Sequence, residues 1–177
     1  MYSLKHRLLR YLSIAMFLVL ATVATTTNAF ASLTESGPTS VSATPVTLNG
    51  TNQTTTYTLP LSVDNTGMGN GNGWNLTITS TTLTAGSHTL ATTASTIQSA
   101  PTVGGCTNSC PSNTITYPLT IPAGSTAPTP VKFFNAAAGT GKGSGITVTV
   151  TVTVAIPANT FQGSYTSTVN VVIASGP

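Results

Sequence analysis

The sequence predicts an all-β protein: a single antiparallel β-sandwich domain behind an N-terminal leader. Three observations predict it. The chain after residue 31 is rich in Thr and Val, which favour pleated sheet over helix. Its apolar residues recur with a period of two, and no window shows helical periodicity. Gly- and Asn-rich turn clusters separate short apolar runs about every ten residues, as in sandwiches of the immunoglobulin-like or Greek-key type.

The clearest strand covers residues 146–156, where Ile and Val occupy every second position and Thr occupies nearly all of the positions between. One face of this strand is therefore apolar and the other polar. At about 3.3 Å per residue it is roughly 36 Å long, longer than most strands. We expect it either to bend or to pair with two neighbours in succession.

Two further strands show the same alternation. Trp74, Leu76 and Ile78 form the apolar side of one, and residues 165–173 form the last strand of the chain. Shorter strands are predicted at residues 46–48, 55–63, 88–92, 95–103, 114–120 and 131–134.

The first 31 residues have the pattern of a secretory signal peptide. Lys5, Arg7 and Arg10 precede an apolar run over residues 12–23, and Ala29-Phe30-Ala31 forms an A-x-A cleavage site. A retained membrane anchor is the alternative, but spanning the bilayer takes about 20 apolar residues. We therefore expect cleavage before Ser32, a mature chain without a membrane span, a flexible segment over residues 32–44 and a sandwich domain over residues 45–177.

Charge is almost absent from the predicted mature chain. Charged residues make up 4% of the whole sequence, against roughly 25% in an average protein. After residue 31 the charged residues are Glu35, Asp64, Lys132 and Lys142, so the net charge there is zero. This composition argues against an acid–base enzyme and against a protein that binds nucleic acid by charge. We expect no catalytic residues, no metal and no cofactor.

Cys106 and Cys110 are the only two cysteines, separated by three residues. An exported chain is exposed to oxidising conditions, so we expect a disulfide between them. Glycines before the pair and Pro111 after it place the bridge at a loop tip, where it would rigidify a turn.

Four other features bear on the function. The loop over residues 64–73 could offer oxygens to Ca²⁺, but Asp64 is its single carboxylate, which favours a simple hairpin or bulge loop. Trp74 could stack on a sugar if exposed or anchor the core if buried, and the alternation favours burial. His88 is expected at the surface with no catalytic role. Asn49, Asn52 and Asn75 match the glycosylation sequon, whose use depends on the host.

Two sequence blocks resemble the WxL domain of Gram-positive surface proteins. One is GWNLTI over residues 73–78; the other is IPAN over residues 156–159 with GSYTST over residues 163–168 and a terminal Gly-Pro. Val171-Val172-Ile173 stands where the family has its second W-x-L. The resemblance, over about residues 45–177, implies noncovalent binding to peptidoglycan, with a binding motif of Trp74, Leu76, Val171 and Ile173.

The expected function is that of a secreted cell-surface protein, structural or adhesive, held noncovalently on peptidoglycan or another cell-wall polymer. Other surface proteins, or a second copy of the chain, are further candidate partners. The alternative is a fibre or pilin-like subunit that assembles by β-strand addition. That alternative is favoured by Thr/Val edge strands that lack the charged residues which usually prevent edge pairing.

Overall fold

The computed structural model describes residues 33–66, 72–106 and 109–177. The predicted signal peptide lies outside these residues, as do residues 67–71 of the loop over residues 64–73. The described chain contains strands and no helix, so it holds no helical segment able to cross a membrane. In chain order the strands are β1 (Leu33–Ser36), β2 (Gln53–Asn65), β3 (Trp74–Thr81), β4 (Thr84–Ala85), β5 (His88–Thr89), β6 (Ser95–Ile97), β7 (Thr102–Gly104), β8 (Leu119–Thr120), β9 (Ala123–Gly124), β10 (Val131–Ala136), β11 (Gly143–Ile156) and β12 (Val169–Ser175).

The strands form two sheets that pack against each other, which confirms the predicted β-sandwich. The first sheet has the order β1-β2-β11-β6-β8, and β7 also pairs with β11. The second has the order β10-β3-β12, with β9 beside β3. The described pairings are antiparallel except for β3 with β9, and β4 and β5 form a separate hairpin.

The core lies between the two sheets and is built from the predicted alternation. In β11 the even positions from Ile146 to Val154 are buried, and in β2 the odd positions from Leu59 onward are buried. Antiparallel pairing of Val148 with Leu61 and of Val150 with Leu59 puts these side chains on one face. The second sheet contributes the bulkiest core residues, which are Trp74, Leu76, Ile78, Phe133 and Phe134.

Strand β11 pairs with two partners in succession along one edge, which is one of the two outcomes expected from its length. Thr147–Thr149 pair with β7, and Val152–Val154 pair with β6. The strand begins at Gly143, three residues before the predicted start, and a bulge lies between Gly143 and Ile146. A single long strand therefore holds the first sheet together from its centre.

Several predicted strands are shorter than expected or absent. The run over residues 95–103 is split into β6 and β7, with Pro101, which has no N–H to donate, between them. Only Leu119–Thr120 of the run over 114–120 is a strand, because Thr114 N–H donates to the Asn135 side chain instead of to a neighbouring strand. Residues 46–48 form no strand, β5 ends at Thr89, and residues 165–168 precede β12 with a single bridge, at Thr166.

Strand β1 lies at the start of the segment over residues 32–44 that was predicted to be flexible, and its four residues are ordered as a strand. Leu33–Ser36 pair with Ser62–Asn65 of β2 in antiparallel register. Leu33 and Glu35 are half-buried while Thr34 and Ser36 are exposed, and Leu33 packs against the core. Half-buried and exposed residues therefore alternate in β1 as they do in the longer strands. Four residues are too few for this alternation to predict a strand from the sequence.

Candidate functional site

The residues of the predicted binding motif lie on two neighbouring strands. Strand β3 lies in the middle of the second sheet, between β10 and β12. Ile173 pairs with Leu76, and Val171 pairs with Ile78. The fold therefore brings both parts of the motif together, although roughly a hundred residues separate them in the chain.

The side chains of this motif belong to the core. Trp74 and Leu76 have no exposed surface, and Val171 and Ile173 are half-buried against the core cluster. The interpretation of Trp74 as a buried anchor is confirmed, and its interpretation as an exposed sugar platform is wrong. An indole without exposed surface has no face on which a sugar could stack.

The Trp74 side chain packs against the ring of Phe134 and donates a hydrogen bond to the carbonyl oxygen of Gly141. Its ring lies 5.6 Å from that of Phe134, tilted by 31°. Its Nε1 donates to the carbonyl oxygen of Gly141 at 2.8 Å, and the Asn65 side-chain amide donates to the same oxygen at 2.8 Å. Gly141 has φ of +64°, and a Cβ there would lie 2.6 Å from the indole nitrogen. The loop before β11 can close over Trp74 only because this position is glycine.

Cys106 and Cys110 form the predicted disulfide, with Cα atoms 5.2 Å apart. The loop that they close is joined to the loop over Trp74, because Gly141 N–H donates to the Ser109 carbonyl at 2.7 Å. The Ser109 hydroxyl also donates to the Gly139 carbonyl at 3.2 Å. The disulfide thus supports the segment that covers the tryptophan.

The outer face of the first sheet is covered by threonine. The side chains that share it, here called the threonine face, are Thr54, Thr56, Thr58, Thr96, Thr102, Thr120, Thr147, Thr149, Thr151 and Thr153. The pairing aligns them across strands: Thr56 lies opposite Thr153, Thr153 opposite Thr96, and Thr96 opposite Thr120. Neighbouring strands lie about 4.8 Å apart, so this row crosses four strands in roughly 14 Å.

A second feature of the surface is a cleft beside the β4–β5 hairpin. The His88 imidazole stacks on the Phe161 ring with centroids 3.9 Å apart and planes 14° apart. Phe161 is 61% exposed, the largest fraction among the exposed large hydrophobic residues of the described chain. Sequence reasoning placed His88 at the surface but missed this pair, because no local pattern links residues 73 positions apart.

Two tyrosines are partly buried. Burial raises the pKa of Tyr57 to about 12. Burial also raises the pKa of Tyr117, and the hydrogen bond from the Asn113 amide partly opposes this.

Within the described residues no three His, Cys, Asp or Glu side chains lie together as metal ligands. Asp64, at the start of the loop over residues 64–73, accepts a hydrogen bond from Thr66 N–H.

The three sequons differ in accessibility. Asn75 is 8% exposed, and its amide donates to the Gly176 carbonyl at 2.7 Å. Asn49 and Asn52 are exposed, and each side-chain oxygen accepts a backbone N–H, from Thr51 and Ala158 respectively. After folding, therefore, a modifying enzyme could reach only Asn49 and Asn52.

No family model, no curated protein and no solved structure matches this chain.

Proposed function

We propose that the protein is an exported surface component that attaches noncovalently to peptidoglycan or another cell-wall polymer through the threonine face. The single observation that carries this proposal is the cross-strand alignment of threonines from β2, β11, β6 and β8. Each hydroxyl offers one donor and two acceptor positions beside an apolar methyl group. A regular array of such groups suits a long polymer that is rich in hydroxyl and amide groups.

The electrostatics of this face support an uncharged mode of binding. None of its ten residues carries a charge. The nearest charged residue on the same side of β2 is Asp64, six residues beyond Thr58 and outside the threonine face. Hydrogen bonds of about 0.5–1.5 kcal/mol each are weak singly. Many of them repeated along a polymer give avidity without any strong contact.

The sequence supports the location. The basic N-terminus, the apolar run and the A-x-A site are typical of a secreted precursor. The family resemblance supports a wall ligand, with one difference of mechanism. Trp74, Leu76, Val171 and Ile173 act in this proposal by holding the sandwich together, and the polymer contacts the opposite sheet.

Pelleting with purified sacculi tests the proposal. Thr58, Thr149 and Thr151 lie at the centre of the face, and Thr58 pairs with Thr151. Changing all three to Val removes three hydroxyls while keeping β-branched side chains that suit a strand. We expect at least tenfold weaker pelleting, whereas Thr129→Val, in an exposed loop, should pellet like the wild type. Equal pelleting of the triple variant and the wild type would refute the proposal.

A second candidate, assembly by strand exchange, is favoured by the position of β1. This N-terminal strand of four residues lies at the edge of the first sheet, on the 13-residue strand β2. In an assembly, β1 of one copy would pair with β2 of the next. Electron microscopy and sedimentation over a range of concentrations test this: filaments that disappear when residues 33–36 are deleted support it, and a monomer at all concentrations contradicts it.

A further inference from the structure

We propose that the cleft beside the β4–β5 hairpin binds one or two rings of a neutral pyranose sugar. This aromatic cleft is lined by His88, Phe161, Tyr165 and Asn159, with the hydroxyls of Thr89 and Thr160 at its sides, and encloses about 260 Å³. That volume lies just below the range of roughly 300–1,000 Å³ for drug-sized ligands. The proposal deepens the wall-binding function by naming a second contact and its ligand chemistry.

The ring of Phe161 is exposed to solvent and available to a ligand. The His88 imidazole stacks on it, yet 61% of the side chain remains open to solvent. An aromatic surface left in water forgoes about 25 cal/mol for each Å² that could be buried. Pyranose sugars carry a face of C–H groups that can cover such a ring, and their hydroxyls remain at the edge to meet polar neighbours.

Hydrogen bonds hold the cleft in place before any ligand arrives. The Tyr165 hydroxyl donates to the Phe161 carbonyl at 3.1 Å. The hairpin and the segment after the cleft are joined by two backbone hydrogen bonds between Thr84 and Thr166, at 3.0 and 2.9 Å. Ala158 N–H donates to the Asn52 side chain at 2.9 Å. A site that is already ordered loses less entropy on binding.

The lining of the cleft carries no acidic or basic side chain apart from the His88 imidazole. Its polar groups are hydroxyls, one amide and one imidazole, and none of the lining residues is Asp, Glu, Lys or Arg. A phosphate or carboxylate ligand would find no cationic partner here. A neutral sugar matches an aromatic ring bordered by neutral hydrogen-bonding groups.

Proton NMR of the His88 imidazole tests the proposal directly. His88 is the only histidine after residue 31, so in the mature chain that begins at Ser32 the imidazole signals belong to His88 without an assignment variant. The probes are the β-1,4-linked tetramers of N-acetylglucosamine and of glucose, which distinguish an acetamido-dependent ligand from a generic pyranose. We expect a saturable shift of the His88 signals with at least one probe. Absence of a saturable shift with both would overturn the proposal.

Matched variants separate the cleft from general surface effects. Phe161→Ala should weaken the saccharide affinity at least tenfold, and Phe161→Trp should retain it because a larger ring remains. Val172→Ala, at an exposed apolar residue outside the cleft, should bind like the wild type. Circular dichroism checks that each variant is folded. Undiminished affinity in folded Phe161→Ala would refute the cleft.

Sacculus pelleting and saccharide titration fail independently. A wild-type protein that does not pellet but shows the His88 shift refutes wall attachment and supports the cleft. A protein that pellets through the threonine face without any His88 shift refutes the cleft and leaves wall attachment standing.

Discussion

The indole Nε1 of Trp74 donates to the carbonyl oxygen of Gly141, 2.8 Å away and 67 positions later in the chain. Through this bond the tryptophan of β3 in the second sheet holds the loop that leads into β11 of the first. The ring of Phe134 on β10 packs beside it. In this protein the tryptophan of the W-x-L pattern therefore joins the two sheets.

Replacing Trp74 should cost stability and spare binding. Trp74→Ala creates a large cavity, and we expect a loss of about 3–5 kcal/mol in the free energy of unfolding, measured by urea denaturation. Trp74→Phe should lose less. Urea denaturation shows under which conditions the Trp74→Phe variant is folded. Under those conditions this variant should pellet with sacculi like the wild type. Weak pelleting by the folded variant would show that Trp74 acts in binding, as the family resemblance implies. Val172→Ala should change stability by less than about 0.5 kcal/mol.

Gly141 should tolerate substitution far less than Gly139. Both have positive φ, +64° and +83°, but a Cβ at Gly141 would lie 2.6 Å from the Trp74 indole nitrogen, and a Cβ at Gly139 would meet nothing within 4 Å. Gly139→Ala should cost about 1–2 kcal/mol for the backbone conformation alone. Thermal unfolding should show Gly141→Ala to be clearly less stable than Gly139→Ala. Equal melting temperatures would contradict the role of this close approach.

Opening the disulfide should have a small effect. Cys106 and Cys110 close a ring of only a few residues, for which chain entropy gives about 2 kcal/mol. The variant Cys106→Ser/Cys110→Ser should stay folded and lose no more than this by urea denaturation. A complete loss of structure would mean that the loop over Trp74 depends on the bridge more strongly than the hydrogen bonds of Ser109 indicate.

Wall attachment should depend only weakly on salt. The threonine face carries no charge, so there is little for added ions to screen. Pelleting with sacculi should stay nearly constant up to about 0.5 M NaCl, where the Debye length is roughly 4 Å. Release at moderate salt would indicate that Lys132 or Lys142 carries the binding.

Stability should fall above pH 10. Burial raises the pKa of Tyr57 to about 12, while an unfolded tyrosine ionises near 10. Between these values the unfolded chain has already lost a proton that the folded chain keeps, so the free energy of unfolding decreases with pH. The full difference corresponds to roughly 3 kcal/mol. Tyr57→Phe should flatten the alkaline fall of the melting temperature, and an unchanged slope would contradict this assignment.

The sequence predicted the parts of the fold that follow a local rule. The alternation of Ile, Val and Thr over residues 146–156 identified β11 and its two faces, and its length left open whether it bends or pairs with two neighbours in succession. The same rule predicted that Trp74 is buried. These features follow from a period of two, which any strand with one buried face must show.

Features that depend on distant partners were missed. Thr114 bonds to the Asn135 side chain instead of continuing a strand, and β1 depends on the free edge of β2. The stack of His88 on Phe161 joins the short strand β5 to the loop between β11 and β12, and neither segment carries a pattern that predicts the contact. The threonine face was visible as alternation within strands, but its rows needed the register between strands.

The order of strands in the first sheet has a consequence for biogenesis. Leu59 of β2 pairs with Val150 of β11, about ninety positions downstream, so β2 has no central partner until nearly the whole polypeptide has been made. Such distant pairing slows folding. Under the proposed export, slow folding would keep the chain unfolded while it crosses the membrane, and the first sheet would form afterwards.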